Sequence, residues 1–241
     1  MNQTREPVVL ARSKHPISRR DIDPDALKVL YRLARKGHKA YLVGGAVRDL
    51  LLGKRPKDFD VATDARPGQV KKLFANCFLI GRRFRLAHIR FRGGKIIEVA
   101  TFRKEPDPSE EQQADPHNTF GSPAEDAFRR DITINALFYD ISTFSVIDYV
   151  GGLDDIANRR VCIIGDPSTR YVEDPVRMWR VLRHAARHQF FIDQGTADAI
   201  RANRDLLGGC SGSRMYEEFN KDLHSGFAAA ILALFMEYSL V

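Results

Sequence analysis

Residues 40–63 read AYLVGGAVRDLLLGKRPKDFDVAT, and the fold of the chain turns on this stretch. Ala40 to Val43 is a short apolar run ending in Gly44-Gly45, after which Val47, Leu50, Leu51 and Leu52 suit a short helix closed by Gly53. Phe59 to Ala62 then starts a second strand. A glycine pair between strand and helix lets backbone N–H groups come close to a phosphate, and the helix start adds a favourable dipole. Arg48, one turn into the helix, is placed to add a charge-assisted bond to the same phosphates. Asp58 and Asp60 stand at i and i+2 at the start of the second strand, so period-2 geometry puts both on one face and Phe59 on the other. Two such carboxylates repel unless a cation lies between them, and Mg²⁺ is typically held by one or two carboxylates together with phosphate oxygens. Acidic pairs also occur on surface strands without any ligand. The glycine pair and the arginine upstream make this combination much rarer.

Upstream, Asp23-Pro24 is a helix start, and Leu27, Leu30, Tyr31 and Ala34 continue the helix until Gly37. Residues 1–22 are read as a basic, loosely packed arm. Downstream come a helix over Pro67 to Phe74, strands over Cys77 to Ile80, Leu86 to Phe91 and Ile96 to Phe102, and a hairpin turn at Gly93-Gly94. Residues 103–119 hold three prolines and many charges without an apolar pattern, and are expected to form a flexible loop. A short helix near Pro123 to Arg129 follows, then strands near Ile134 to Asp140, Val146 to Val150 and Val161 to Ile164. From Pro175 onward the pattern is helical: Val176 to His188, Thr196 to Asn203, Arg214 to His224 and Phe227 to Tyr238. The expectation is an α+β fold with a mixed or antiparallel sheet over 23–170, followed by an all-helical segment over 171–241.

The 241 residues are 44% hydrophobic and 29% charged, an ordinary globular composition that excludes a fibre or a disordered chain. The longest apolar run starts at Phe227 and is far short of the roughly 20 residues of a membrane helix. The amino terminus lacks the apolar core of a secretory signal, and a cytoplasmic monomer without membrane contact is expected. Cys77, Cys162 and Cys210 are widely spaced and show no zinc pattern, as befits free thiols in a reducing compartment. A net charge of +7 favours a polyanionic partner, although solubility alone would account for it.

Two further stretches carry charge in a pattern. In EDPVRMWRVLR (173–183), Arg177, Arg180 and Arg183 recur every three residues of a helix, while Met178, Val181 and Leu182 turn towards the core. By itself, such a ridge is a solvated face. Gly81 to His88 interleaves Arg82, Arg83 and Arg85 with Phe84, which suits an RNA or nucleotide phosphate contact. His88 reads as a structural strand residue, and Glu98 as a strand carboxylate paired with Arg85 or Arg103, or else related to a metal.

LVGGAVRDLLLG (42–53), KDFDVAT (57–63), RRDITINAL (129–137), DYVGGLDDI (148–156), EDPVRMWRVLR and the weaker SRMYEEFNKDL (213–223) together resemble the class II nucleotidyltransferases. That family includes bacterial poly(A) polymerase and the tRNA CCA-adding enzyme, and shares its catalytic head with the DNA polymerase beta superfamily. The resemblance implies a nucleotidyltransferase head followed by a helical neck. It implies that Asp58 and Asp60 bind two Mg²⁺ ions and that Asp131 is a further catalytic carboxylate, with a salt bridge to Arg129 or Arg130 as its alternative role. Arg130, with Arg129 second, would contact triphosphate or ribose. Asp174 and Arg177 look like the pair that hydrogen-bonds the incoming base, and Arg180 would reach the triphosphate. Trp179 stands where relatives carry leucine, which leaves the preferred base open. GRRFRLAHI resembles the poly(A) polymerase version of its segment. The implied reaction is transfer of AMP from ATP to RNA 3′ ends with release of pyrophosphate. CCA or A addition to tRNA is the alternative. A catalytically weak RNA-binding fragment is the third reading, which loss of the catalytic carboxylates would favour; all three are present.

Overall fold

The structure is a computed structural model that describes residues 6–81, 86–105 and 120–240. In chain order its elements are β1 (Val8–Leu10), α1 (Pro24–Arg35), β2 (Ala40–Val43), α2 (Gly45–Leu51), β3 (Asp60–Thr63), α3 (Pro67–Leu73), β4 (Cys77–Ile80), β5 (Leu86–Arg90) and β6 (Ile96–Thr101). There follow α4 (Pro123–Phe128), β7 (Leu137–Asp140), β8 (Ser145–Asp148), α5 (Gly152–Ala157), β9 (Arg160–Val161), α6 (Pro167–Glu173) and α7 (Val176–His188). The last are β10 (Phe191–Ile192), α8 (Gln194–Asn203), α9 (Gly212–Leu223) and α10 (Ala228–Glu237).

Eight strands form one sheet in the order β1-β8-β7-β2-β3-β6-β5-β4. Its pairs are antiparallel except β3 with β6, so the sheet is mixed, as the sequence suggests. Strand alternation divides its faces. Ala87, Ile89, Ile97 and Val99 are buried, while His88 and Glu98 on the same strands face outward. Asp23 caps α1 by accepting from the N–H groups of Asp25 and Ala26, and Ala26, Val29, Leu30 and Leu33 make the buried stripe of that helix.

The chain divides into two compact units: residues 1–130 with 135–150, and residues 131–134 with 151–241. The boundary expected near residue 170 falls inside the second of these. Thr133 explains why so short an excursion belongs there. Its N–H donates to the Cys162 carbonyl at 3.0 Å and its hydroxyl to Asp155 at 2.5 Å, while Ile164 N–H donates to the Asp131 carbonyl at 2.9 Å.

The second unit is not purely helical, because β9 and β10 pair in parallel. Helices α5 and α6 are also additions to what the sequence suggests. The basic arm is more ordered than expected: β1 adds an edge strand beside β8, and His15 and Ile17 are buried. Within the second unit, α7 buries Met178, Val181 and Leu182 as its periodicity requires. Trp179 stacks edge-on against Phe235 of α10, with ring centres 4.5 Å apart, and donates to Asp222 at 2.6 Å.

Candidate active site

Strand β2 delivers the chain into Gly44, whose φ of 70 and ψ of −139 lie where a side chain is strained. A Cβ there would meet Arg130 Nη1 at 3.5 Å, and one on Gly45 would meet Arg48 Nη2 at 3.2 Å. The turn is therefore lined by guanidinium groups on both glycines, and the first N–H groups of α2 lie at it. Arg48 holds other partners than the sequence suggests. It is buried, donates from Nε and Nη2 to Asp49 at 2.9 and 2.8 Å, and donates from Nη1 to the Asn135 side chain. It braces the turn from behind. Arg130 donates to Asp126 at 3.0 Å and to the Asn135 carbonyl at 3.2 Å, beside Gly44.

Strand β3 starts at Asp60, so Asp58 lies two residues before it rather than within it. β6 runs parallel to β3 with Val61 beside Val99, and β5 runs antiparallel to β6 with His88 opposite Glu98. Register therefore sets Asp60, Glu98 and His88 in one row on one face. His88 Nε2 lies 3.3 Å from Glu98 Oε1. His88, and not the expected Arg103, is the described partner of Glu98; the other expected partner, Arg85, lies outside the described residues. The Asp60 carboxyl is pushed up to about 6, first by the protein packed around it and then by the negative charges of Glu98 and Asp58, with Arg130 opposing. The residue is exposed on the face of the sheet that it shares with Glu98. Solvent on that face moderates the shift.

Among the described residues no three His, Cys, Asp or Glu side chains converge as a metal-ligand cluster. The fit of a cation rests instead on Asp58 and Asp60, whose mutual repulsion a divalent ion would relieve.

Asp131 belongs to the second unit. Its Oδ1 accepts from Ile132 N–H at 2.9 Å, and Arg180 Nη2 stands 3.0 Å from its Oδ2 without an N–H aimed at the oxygen. The ion partner is thus Arg180, not Arg129 or Arg130. Asp174 and Arg177 flank the α6–α7 joint and hold different partners: Arg214 lies 2.7 Å from Asp174 Oδ2, while Arg177 donates to Glu173 at 2.8 Å and to the Arg170 carbonyl at 3.1 Å. Arg183 leaves the supposed ridge. A step of three residues turns about 300° on an α-helix, so two steps carry it well round from Arg177. It is buried and donates to Glu218 at 2.5 Å and to Asp222. Arg82, Arg83 and Arg85 lie outside the described residues.

A family model described as "Poly A polymerase head domain" matches residues 40–162, and one described as "Probable RNA and SrmB- binding site of polymerase A" matches residues 189–241. Poly(A) polymerase I of Salmonella typhimurium is 50% identical over 242 residues, covering 96% of this chain and 52% of its own length. A CCA-adding enzyme of Geobacillus is 39% identical over 215 residues, covering 89% of this chain and 53% of its own. The solved CCA-adding enzyme of Bacillus stearothermophilus in complex with CTP matches with a TM-score of 0.79 at 35% identity, over 91% of this chain and 53% of that one. A tRNA nucleotidyltransferase complexed with a primer tRNA and an incoming ATP analog matches with a TM-score of 0.73 at 30% identity, over 88% of this chain and 60% of that one. The chain spans about half the length of the curated relatives it matches.

Proposed function

Because this chain belongs to the poly(A) polymerase head-domain family, we propose that it transfers AMP from ATP to RNA 3′ ends and releases pyrophosphate. The observation that carries the reading is the acidic row: Asp60 beside Glu98, Asp58 two residues away, and Arg130 near both Asp60 and Gly44. Negative charge is gathered on one strand start, and a phosphate-sized turn with a cation lies close by.

Asp58 and Asp60 would hold two Mg²⁺ ions, which when bound supply an ionised RNA 3′-hydroxyl and charge neutralisation at the triphosphate. The chain does the positioning. N–H groups at Gly44-Gly45, with Arg130 and secondarily Arg129, orient the triphosphate, and Arg48 keeps the turn in shape. Asp174 and Arg177 read the edge of the base, and Arg180 reaches a phosphate. For these last roles Asp174 has to release Arg214 and Arg177 has to release Glu173, both partly exposed contacts of low cost. Asp131 acts as a further carboxylate and holds Arg180. Arg82, Arg83 and Arg85 hold RNA phosphates. A monomer working in the cytoplasm is part of the same proposal; no described helix is long and apolar enough to cross a membrane.

CCA or A addition to tRNA is the second reading, favoured by the 39% identity to a CCA-adding enzyme; the higher identity to poly(A) polymerase I favours the first. Incorporation of ATP and of CTP, measured separately on an unstructured oligonucleotide and on tRNA lacking its CCA end, decides between them. AMP tails on the oligonucleotide without CMP incorporation support poly(A) addition. CMP incorporation on the tRNA overturns it.

A further inference from the structure

A cavity of about 530 Å³ lies in the first unit, between the stretch before α1 and the end of α2. Its origin is local. α2 ends in a Schellman turn, with Gly53 N–H donating to the Leu50 carbonyl at 3.2 Å and Lys54 N–H to the Asp49 carbonyl at 2.8 Å, and with Gly53 at φ +67. That turn reverses the chain, and Lys54 and Arg55 after it line the cavity together with Arg20. Pro24, Leu50 and Phe59 supply an apolar wall. Neither Asp58 nor Asp60 lines the cavity, although Phe59 stands between them in sequence.

The side chains of Arg20, Lys54 and Arg55 make no ion pair, hydrogen bond or ring contact among the described residues. Asp23 does not answer them, because its carboxylate already caps α1 and pairs with Lys95 at 2.5 Å. Asp21 is the one uncommitted acid on the wall among the described residues. Solitary exposed cations are ordinary, but three around a concavity of this size with an aromatic wall are the features of a ligand site, which spans roughly 300–1,000 Å³ and joins apolar surface to a few polar groups. A flat aromatic surface takes a base, guanidinium and ammonium groups take phosphate, and a free carboxylate accepts from a ribose hydroxyl or an exocyclic amine.

We propose that this cavity is a second nucleotide site, holding one base against Phe59 and its phosphate on Lys54, Arg55 and Arg20. The nucleotide comes either from an RNA strand, a source that rests on the transfer reading above, or from a free nucleoside phosphate, which does not. The test is photolabelling of the full chain with 8-azido-AMP in EDTA, followed by peptide mapping. Omitting divalent metal makes the readout independent of turnover, so failure of AMP transfer and failure of this proposal are separately visible. Label is expected in residues 16–24 or 50–59, the segments that line the cavity. It should drop several-fold in K54A/R55A and in R20A, but not in R35A/K36A, which removes equal charge from the end of α1. Competition by oligo(A) identifies a strand source, and competition by AMP alone a free nucleotide; either supports the site. Label absent from those segments, or unchanged in both K54A/R55A and R20A, overturns it.

Discussion

Asp60 is the carboxyl proposed to carry the chemistry, and four influences meet at it: packed protein and the charges of Glu98 and Asp58 raise it, and Arg130 alone opposes. The neighbour that register gives it is Glu98, whereas Asp131 sits in the other unit against Arg180. If the row is the catalytic centre, Glu98→Gln should slow AMP transfer at least about tenfold, some 1.4 kcal/mol of barrier, and more than Asp131→Asn does. Steady-state rates with saturating ATP check this, and equal losses would count against the row. Arg177 makes a different demand. Removing a hydrogen-bonding pair to a base edge weakens discrimination by about 1–3 kcal/mol. Arg177→Ala should therefore admit CTP and GTP relative to ATP more than it slows saturated turnover, as competition assays would reveal.

At the scale of elements, α7 shows how one helix serves two ends. Trp179 and Arg183 face inward onto Asp222 and Glu218 of α9, while Arg177 and Arg180 remain half exposed. Removing one partner of a buried ion pair costs about 3–5 kcal/mol because the other charge is left uncompensated. Arg183→Met should accordingly destabilise the second unit by an amount in that range, read from the urea midpoint. Burial pushes the Glu218 carboxyl up, but Lys221 and Arg183 outweigh it and the net shift is downward. Its stabilising contribution is then complete above the ordinary carboxylate range, near pH 4.3, and fades as the pH falls through its lowered value. Glu218→Gln should flatten that acid limb of the stability profile.

Elements of this kind were legible where a period and a stop signal coincide: β2 and α7 have the limits their sequences suggest. β1 was not, since three residues carry no period and its partner β8 lies far along the chain. Nor were the partners of Arg48 and Asp174, because Asn135 and Arg214 come to them only through tertiary packing. Glu98 was visible as a carboxylate, but its place beside Asp60 depends on a parallel register that alternation alone cannot specify.

For the whole molecule, the proposed RNA contact at Arg82, Arg83 and Arg85, together with a net charge of +7, predicts an affinity set mainly by phosphate binding. Binding of oligo(A) should weaken steeply with salt, and replacing those three arginines by alanine should reduce the slope of log K against log salt by about 0.7 for each phosphate no longer neutralised. Fluorescence anisotropy from low to physiological salt measures it. Tight binding indifferent to salt would place recognition elsewhere in the chain.

Asp58 and Asp60 are the residues proposed to make this chain a nucleotidyltransferase. Incorporation of radiolabelled AMP from ATP into oligo(A) by the intact chain with Mg²⁺, compared with Asp58→Asn and Asp60→Asn at matched thermal stability, tests that role directly. Tails are expected from the intact chain and none from either variant, since each substitution removes charge from a repelling set and leaves the fold intact. Near-normal incorporation by either variant would contradict it.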